Sequence, residues 1–233
     1  MSSTKSNHTN QIKVLIGTPA YGGMCCTAYT EALLYTTMFL SQKNISFQVK
    51  FINNQIVTRA RNMICSIFMS DDTFTHLLFI DADVKWSPEH VIMLFEHDLE
   101  CVIGVYPNKQ YYKINGDIKL KPSSKFASPQ IEKKNIVKID KAATGFMLIK
   151  KSGLIKIQKD VETFILPNSD GKDIVLHNYF DCKVVENDYL TEDYYFSYLF
   201  NKNGGEIWAD KRIVLGHIGT HTYGELIQSS NLN

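Results

Sequence analysis

The sequence predicts an α/β fold in which a mostly parallel sheet is flanked by helices. Four strand-like segments lie in the first half of the chain, at residues 11–23, 45–53, 75–80 and 101–107. Three segments with apolar residues at helical spacing alternate with them, at residues 27–44, 55–70 and 87–98. This alternation favours parallel pairing with right-handed crossovers. Ligands of such sheets bind at the carboxyl ends of the strands, so we expect residues 18–23 and 81–86 to share one rim.

Capping residues indicate where two of these helices begin. Thr27 is predicted to cap the first helix, because a threonine side chain can accept a hydrogen bond from a free backbone N–H. Ser87 followed by Pro88 and Glu89 predicts a sharp start for the third helix, since proline fits the first helical position and an acid suits the first turn.

The second half of the chain predicts a smaller and more mixed part. We expect residues 108–140 to be rich in loops, with residues 122–130 the most flexible. Residues 142–154 predict a strand that runs into a short helix. Residues 191–205 predict a helix capped by Thr191 and ended by Asn203-Gly204-Gly205, followed by short strands at 206–210 and 212–217. With no repeat or linker to divide the chain, we predict a disordered tail at residues 1–10 and one domain at 11–233.

The composition argues against several classes of function. The 233 residues are 44% hydrophobic and 21% charged, and the formal net charge of +1 does not indicate a nucleic-acid or membrane partner. The five cysteines are odd in number and lack C-x-x-C spacing, which argues against a disulfide framework and a structural zinc site. No apolar stretch approaches the roughly 20 residues that span a bilayer, and the polar start is not a signal peptide. We therefore expect a cytoplasmic protein without a membrane span.

Two aspartates follow the third predicted strand. In THLLFIDADVKW, from Thr75 to Trp86, Asp81 and Asp83 end a run of apolar residues. On an extended backbone, residues two apart point to the same side, about 7 Å apart at their α-carbons. Two such charges repel unless a cation lies between them, and oxygen ligands suit Mg²⁺ or Mn²⁺, with positions left for phosphate oxygens. The alternative is that the aspartates cap the next turn or face water.

These residues resemble the motifs of a known family. The segment LLFIDADV is similar to the D-x-D motif of GT-A glycosyltransferases, which bind a nucleotide-sugar through a divalent metal. The resemblance extends over most of the chain. The family's first strand and nucleotide-binding loop resemble VLIGTPAYGG, and the helix before its D-x-D strand resembles TRARNMICSIFM. The segment that lines the donor-sugar and acceptor pocket resembles AATGFMLIKKS. The E-D helix with its following strand resembles TEDYYFSYLFNKNGGEIWAD, and the C-terminal histidine segment resembles VLGHIGTH. A narrower likeness is to small GT-A transferases of large DNA viruses, which decorate capsid glycans.

The resemblance implies a GT-A fold and a metal-dependent enzyme. Such an enzyme moves a sugar from a UDP-sugar to a hydroxyl of a glycan or glycoprotein acceptor. Residues 11–107 would form the nucleotide-binding half and residues 108–233 the acceptor and catalytic half. If the protein is viral, it would act in the host cytoplasm.

The resemblance also implies a metal site. Asp83 and His217 would bind Mn²⁺ or Mg²⁺, and the imidazole favours manganese. Asp81 would contact the ribose, or would reach the metal through water. His221 is the rival histidine if the register differs.

A further set of residues would surround the nucleotide-sugar. The loop of Thr18, Pro19, Ala20 and Tyr21 would hold the uracil and ribose, and the Tyr21 ring can stack on a flat base. Ala82, between the two aspartates, is expected to contact the same ligand.

Two other segments would complete the nucleotide-sugar site. Arg61, with Asn62 beside it, would face the nucleotide, and Arg59 is the second choice because residues two apart on a helix face different ways. Thr144 and Gly145 would line the donor sugar, since glycine permits close approach of the backbone. Tyr106 and Lys109 are further candidates, for contacts with the acceptor.

The acid pair at the start of the last predicted helix supplies the candidate catalytic base. The helix dipole alone favours Glu192 and Asp193 in a first turn. By resemblance to inverting members of the family, Asp193 would take the proton of the acceptor hydroxyl while Glu192 positions the acceptor. Direct displacement by that hydroxyl would invert the configuration at the anomeric carbon.

Other classes of function share parts of this pattern. A phosphatase of the haloacid dehalogenase type also uses D-x-D, with Asp81 then a nucleophile, but its motif belongs on the first strand. The chain lacks G-x-G-x-x-G and a P-loop. Glycosyl hydrolases use two carboxylates from different elements without a metal. A non-catalytic carbohydrate-binding scaffold with the same fold is a further alternative. The sequence does not identify the donor sugar, the acceptor or the oligomeric state.

Overall fold

The structure is a computed structural model that describes residues 12–114, 117–167 and 173–219. The strands in these ranges are β1 (Lys13–Pro19), β2 (Ser46–Ile52), β3 (His76–Ile80), β4 (Val84–Lys85), β5 (Cys101–Ile103), β6 (Pro107–Ile114), β7 (Asp117–Pro122), β8 (Lys125–Phe126), β9 (Glu132–Lys133), β10 (Ile136–Lys141), β11 (Phe146–Lys150), β12 (Thr163–Pro167), β13 (Asp173–His177), β14 (Lys183–Val185), β15 (Asp188–Leu190), β16 (Ile207–Asp210) and β17 (Gly216–His217). The α-helices are α1 (Thr27–Gln42), α2 (Val57–Ser70), α3 (Pro88–Phe95), α4 (Lys151–Gln158) and α5 (Glu192–Lys202).

A mixed sheet forms the centre of the fold. Across the described residues its strand order is β2-β1-β3-β11-β5-β16-β10-β8, with β9 paired to β10. β1 is parallel to both β2 and β3, and β5 is parallel to β16. β11 runs antiparallel between β3 and β5, so β1, β2, β3, β5 and β16 all point in one direction. Their carboxyl ends therefore form one edge of the sheet, where the loops that carry function are expected.

Helices cover both faces of this sheet, as predicted. Leu77 and Phe79 of β3 pack in one buried cluster with residues of α2, α4 and α5. Leu78 and Ile80 pack in the opposite cluster with residues of α1 and α3. Each fully buried side chain of this size contributes about 1.5–3 kcal/mol by leaving water. The apolar run before Asp81 is thus a strand buried on both faces, which is typical of an α/β sheet.

Two predicted helix starts differ from the structure in their capping. α1 begins at Thr27, but its N-cap is Cys26, whose Sγ accepts a hydrogen bond from the Tyr29 N–H at 3.3 Å. Thr191 occupies the N-cap position of α5 as predicted, but its side chain accepts no capping hydrogen bond. The predicted cap of α3 is confirmed, since Ser87 caps a helix with proline in its first turn.

The strand predictions for the second half need larger corrections. Residues 108–140, predicted to be loops, contain most of β6, all of β7 to β9 and most of β10. β6 and β7 pair with each other off the main sheet. β6 shows no apolar alternation in the sequence, whereas Ile118 and Leu120 of β7 alternate with charged residues and could have indicated a strand. The strands predicted at 101–107 and 212–217 shrink to β5 and β17. The predicted tail at residues 1–10 lies outside the described residues.

The helices of the fold give no sign of a membrane span. None in the described part of the chain is both long and apolar enough to cross a bilayer.

A buried carboxylate anchors the chain between β16 and β17. The side chain of Asp210 is 0% exposed and accepts hydrogen bonds from the Arg212 backbone N–H at 2.8 Å, from the Arg212 Nε at 3.0 Å and from the His97 Nε2 at 2.7 Å. Burial alone would raise the pKa of the Asp210 carboxyl, but these hydrogen bonds outweigh it and lower the pKa to about 2. The anchor fixes the turn that leads to His217.

We expect Asp210→Asn to lower the free energy of unfolding by about 2–3 kcal/mol at pH 7, because it leaves Arg212 without its buried partner. The carboxylate stabilises the fold fully above pH 3.8, and this contribution is lost as the pH falls towards 2. Urea unfolding at pH 7 and pH 3 should therefore show a smaller difference between variant and parent at the lower pH. Glu206→Gln, which removes the half-exposed partner of Lys138, is the control and should cost less than about 1 kcal/mol. Equal costs for the two variants would contradict this account.

Candidate active site

A cleft of about 430 Å³ opens at the carboxyl edge of the sheet. It is lined by residues from the loops after β1, β2 and β3 and from the start of α2: Pro19, Tyr21, Met24, Cys25, Cys26, Asn54, Gln55, Val57, Arg61, Asp81, Ala82 and Asp83. The predicted shared rim of residues 18–23 and 81–86 is therefore present. A hydrogen bond of 2.9 Å from the Cys26 N–H to the Ala82 carbonyl joins the start of α1 to the loop after β3.

The two aspartates after β3 do not converge on one point. β3 ends at Ile80, and residues 82–83 form a turn in which the Val84 N–H donates to the Asp81 carbonyl at 3.1 Å. We expected both side chains to point to the same side because we assumed an extended backbone. The backbone turns here, so that expectation is wrong. Asp81 instead faces Arg61, whereas Asp83 faces Lys109 and His217.

Asp83 and His217 form the part of the site that is suited to a metal ion. β17 pairs with β4, which brings the His217 Nε2 to 3.5 Å from the Asp83 Oδ1. The His217 Nδ1 lies 2.8 Å from the Pro107 carbonyl, which can only accept a hydrogen bond, so Nδ1 is the donor of this pair and Nε2 is the ring nitrogen directed towards Asp83. A backbone carbonyl that orients a histidine in this way is typical of metal ligands.

The negative charge of the Asp83 carboxylate is stabilised by its neighbours. Lys109 Nζ lies 2.5 Å from the Asp83 Oδ2, on the other side of the carboxylate from His217. Burial alone would raise the pKa of the Asp83 carboxyl, but its interactions with His217 and with the Lys109 ammonium outweigh burial and lower the pKa to about 2. Asp83 is therefore an anion at neutral pH, as a metal ligand must be.

Arg61 holds three carboxylates together beside this site. Its side chain is only 3% exposed, and its NH2 group lies 3.1 Å from the Asp81 Oδ1. Its NH1 group lies 3.5 Å from the Glu192 Oε1 and also contacts Asp193. The guanidinium thus connects the D-x-D loop with the first turn of α5.

The catalytic base predicted on α5 is held from two sides. The Thr144 hydroxyl, fully buried at the turn before β11, donates to the Asp193 Oδ1 at 2.5 Å, and Arg61 contacts the same oxygen. The dipole of α5 adds positive potential at its first turn. Thr144, Asp193 and Glu192 therefore meet Asp81 around one buried arginine, although they come from distant parts of the sequence.

Gly145 lies in the tightest part of the site. A Cβ atom there would come within 2.4 Å of the Tyr106 Oη and 2.7 Å of the Asp81 Oδ2, so only glycine fits without movement. The Gly145 N–H donates to the Tyr106 hydroxyl at 3.2 Å, and the Asp81 N–H donates to the Gly145 carbonyl at 3.0 Å. Tyr106 is 5% exposed and packs edge-on against His217, which makes it a support for the site and not an exposed acceptor contact.

Several predicted nucleotide contacts lie away from the cleft lining. The Thr18 hydroxyl is buried against the Tyr29 hydroxyl at 2.5 Å, and Ala20 is 3% exposed. The Asn62 carboxamide is bonded to Asn178 and to both backbone groups of Phe180, so it fixes that segment instead of facing a ligand.

Arg59 and His221 are the remaining candidates. Arg59 is exposed and borders a depression lined by residues 53–56, two of which, Asn54 and Gln55, also line the cleft. The rival histidine His221 lies outside the described residues.

The residues present fit a divalent cation that has few protein ligands. Two ligand atoms about 2.1 Å from one ion are about 3.0–3.4 Å apart, close to the 3.5 Å between the His217 Nε2 and the Asp83 Oδ1. Four carboxylates face two cationic side chains here, which leaves two uncompensated negative charges: Asp81, Asp83, Glu192 and Asp193 against Arg61 and Lys109. In the described ranges, no three His, Cys, Asp or Glu side chains are placed to hold one metal. Mg²⁺ and Mn²⁺ tolerate this, because substrate phosphates and water supply their other ligands.

Half of the residues that line the cleft were not predicted from the sequence. Asn54 and Gln55 follow β2, the neighbour of β1, so the rule that placed the loops after β1 and β3 could have found them. Met24, Cys25 and Cys26 precede α1, and no chemical motif marked them.

Comparison with known proteins bears on the fold. No protein-family model and no curated protein sequence matches the chain. Among solved structures, protein A197 from STIV has a TM-score of 0.52 at 17% identity, over 90% of this chain and 87% of that one. GalNAc-T7 with UDP, GalNAc and Mn²⁺ has a TM-score of 0.50 at 12% identity, over 89% of this chain but only 43% of that one. A mutant of Drosophila β-1,4-galactosyltransferase 7 in complex with manganese, UDP-Gal and xylobiose has a TM-score of 0.49 at 11% identity, over 90% and 71%.

Likeness at these identities shows the fold alone. The central sheet, mostly parallel in direction, and the helices on both of its faces form the GT-A fold, as the sequence predicted.

Proposed function

We propose that this protein is a metal-dependent glycosyltransferase that moves a sugar from a UDP-sugar to a hydroxyl of a glycan or glycoprotein. The observation that carries the proposal is the contact of Asp83, which lines the cleft, with His217, beside the cluster that Arg61 forms with Asp81 and Asp193. A candidate metal site and a candidate base are thus adjacent at the edge of the sheet. The fold neighbour GalNAc-T7, which was solved with UDP, GalNAc and Mn²⁺, supports the same assignment.

The donor would occupy the cleft. Asp83 and His217 would hold the cation, which when bound supplies positive charge to the leaving diphosphate. The Tyr21 ring is 70% exposed at the cleft wall and is free to stack on the uracil, with Pro19 beside it. Asp81 and Ala82 line the cleft between these groups, and Gly145 packs directly against Asp81.

The acceptor would react from the side of α5. Its hydroxyl oxygen attacks the anomeric carbon, the bond from that carbon to the diphosphate breaks, and the hydroxyl proton passes to Asp193. Thr144 and Arg61 both contact the Asp193 Oδ1, so we assign proton transfer to Oδ2. One displacement of this kind inverts the anomeric configuration. Glu192, held by Arg61 at 3.5 Å, would position the acceptor.

The phosphatase alternative is less well supported. A nucleophilic Asp81 would need a free carboxylate oxygen, but both of its oxygens accept hydrogen bonds from the Arg61 NH2 group, at 3.1 and 3.2 Å. A non-catalytic scaffold would not need a base held beside the metal site.

We also propose that residues 11–107 form a nucleotide-binding half and residues 108–233 an acceptor half. We further propose that the protein is similar to the small viral transferases and acts in the host cytoplasm.

Product release separates these functions in one experiment. Incubation with a panel of UDP-sugars should release UDP when Mn²⁺ is present, and EDTA should stop the release. A phosphatase would instead release inorganic phosphate from p-nitrophenyl phosphate, and a scaffold would release neither product. Phosphate release without UDP release, or no release with any donor, would refute the proposed function.

A further inference from the structure

A lysine ammonium occupies one side of the carboxylate to which we assign the metal. Lys109 Nζ lies 2.5 Å from the Asp83 Oδ2, and the two side chains are 42% and 39% exposed. The Asp83 Oδ1 faces His217 at the same time. Asp83 therefore carries a protein cation where a metal ion would bind.

The fold holds Lys109 in this place from two directions. Lys109 follows Pro107 on β6, and the Pro107 carbonyl is the group that orients His217. One strand thus supplies both the support of the metal-binding imidazole and the ion-pair partner of Asp83. The lysine stem lies against Gly219, where a Cβ atom would stand 3.1 Å from the Lys109 Cδ. The glycine leaves room for the stem beside the backbone that follows His217.

A divalent cation and the ammonium cannot share Asp83 without strong repulsion. Like charges about 4 Å apart repel, and the repulsion grows in a partly buried site. An arriving metal ion must therefore move Lys109 away from Asp83. A nucleotide diphosphate that binds the same metal brings new negative charge to the place that the ammonium has left. An ammonium is a common partner of phosphate oxygens in proteins.

We propose that Lys109 is a resident counter-cation of Asp83 which the metal displaces and the diphosphate then binds. This inference rests on the proposed function. Lys109 weakens the binding of Mn²⁺ alone and strengthens the binding of UDP to the Mn²⁺-loaded protein. Mn²⁺ and UDP therefore enhance each other's binding, and the enhancement is reciprocal.

Calorimetry with Lys109→Met tests this role without an activity assay. The affinity for Mn²⁺ alone should rise about threefold to fivefold, because the competing half-exposed ion pair is gone. The affinity for UDP at saturating Mn²⁺ should fall about tenfold, because one charged hydrogen bond to the diphosphate is lost. Lys109→Arg keeps a cation and should restore most of the UDP affinity.

Lys85→Met is the matched control. It removes the same charge two residues from Asp83, from an exposed side chain on β4, and should change both affinities less than twofold. Opposite shifts of the two affinities in Lys109→Met support the role. Unchanged affinities, shifts equal to those of the control, or weakening of both ligands would overturn it. A parent protein that binds neither Mn²⁺ nor UDP would overturn the proposed function itself.

Discussion

Asp83→Asn is expected to weaken Mn²⁺-dependent binding of UDP by about 100-fold or more. The substitution keeps the shape of the side chain but removes the charge that Lys109 and His217 now face. A neutral amide oxygen is a poor ligand for a hard cation, and the uncompensated negative charge of the cluster falls from two to one. Metal and diphosphate both depend on that charge, so their binding should fail together.

The measurement is calorimetry of UDP at saturating Mn²⁺. Asp98→Asn is the control, since it removes a carboxylate of the same type that pairs with Lys150, just before β5 and therefore at the opposite edge of the sheet. The control should bind UDP as the parent does. If Asp83→Asn binds UDP with the affinity of the control, Asp83 is not a metal ligand.

The first half of the fold was readable from the sequence because its information is local. The strand before Asp81 is a continuous apolar run, and Ser87 with Pro88 marks the start of α3 through contacts within four residues. The alternation of strands and helices then predicts a parallel sheet, and it predicts that ligands bind at the carboxyl ends of its strands. β11 could not be placed in this way. It inserts antiparallel between β3 and β5, a pairing that depends on residues about 70 positions apart along the chain.

Some residues of the site could be placed from the local sequence, whereas others reach it through pairing of strands that are far apart along the chain. Spacing alone placed Asp81 and Asp83 at the edge of the sheet, but the turn after Ile80 separates their side chains. The pairing of β4 with β17 delivers His217 from more than 130 residues away, and only the family resemblance named that histidine.

The position of Arg61 on its helix is a local signal for buried ion pairs. It stands on α2 at helical spacing with Ile64, Cys65 and Phe68, all of which are buried. A charge at a buried helical position needs partners of opposite charge, because an unpaired buried charge is very costly. The expected partners are acids from other elements, which is what Asp81, Glu192 and Asp193 provide.

Asp193→Asn is expected to lower the rate of sugar transfer by about 10²–10⁴-fold, the contribution of a well-placed general base. The amide can still accept the hydrogen bond of the Thr144 hydroxyl, so the local geometry should survive. UDP binding should change only a few fold, because Asp193 lies on α5 and not among the residues that line the cleft. A loss of rate with retained donor binding places the defect in the chemical step.

Glu192→Gln is the comparison that separates a base from a nearby charge. It removes an equal charge one residue away, from a side chain that also contacts Arg61, yet our assignment gives Glu192 no proton to take. It should raise the KM for the acceptor and reduce kcat far less than Asp193→Asn does. The assay follows transfer from the donor that the UDP-release panel identifies, and NMR of the product should show inversion at the anomeric carbon. Equal losses of kcat in the two variants would assign the effect to the charge of the Arg61 cluster, and retention of configuration would exclude Asp193 as the base of a single displacement.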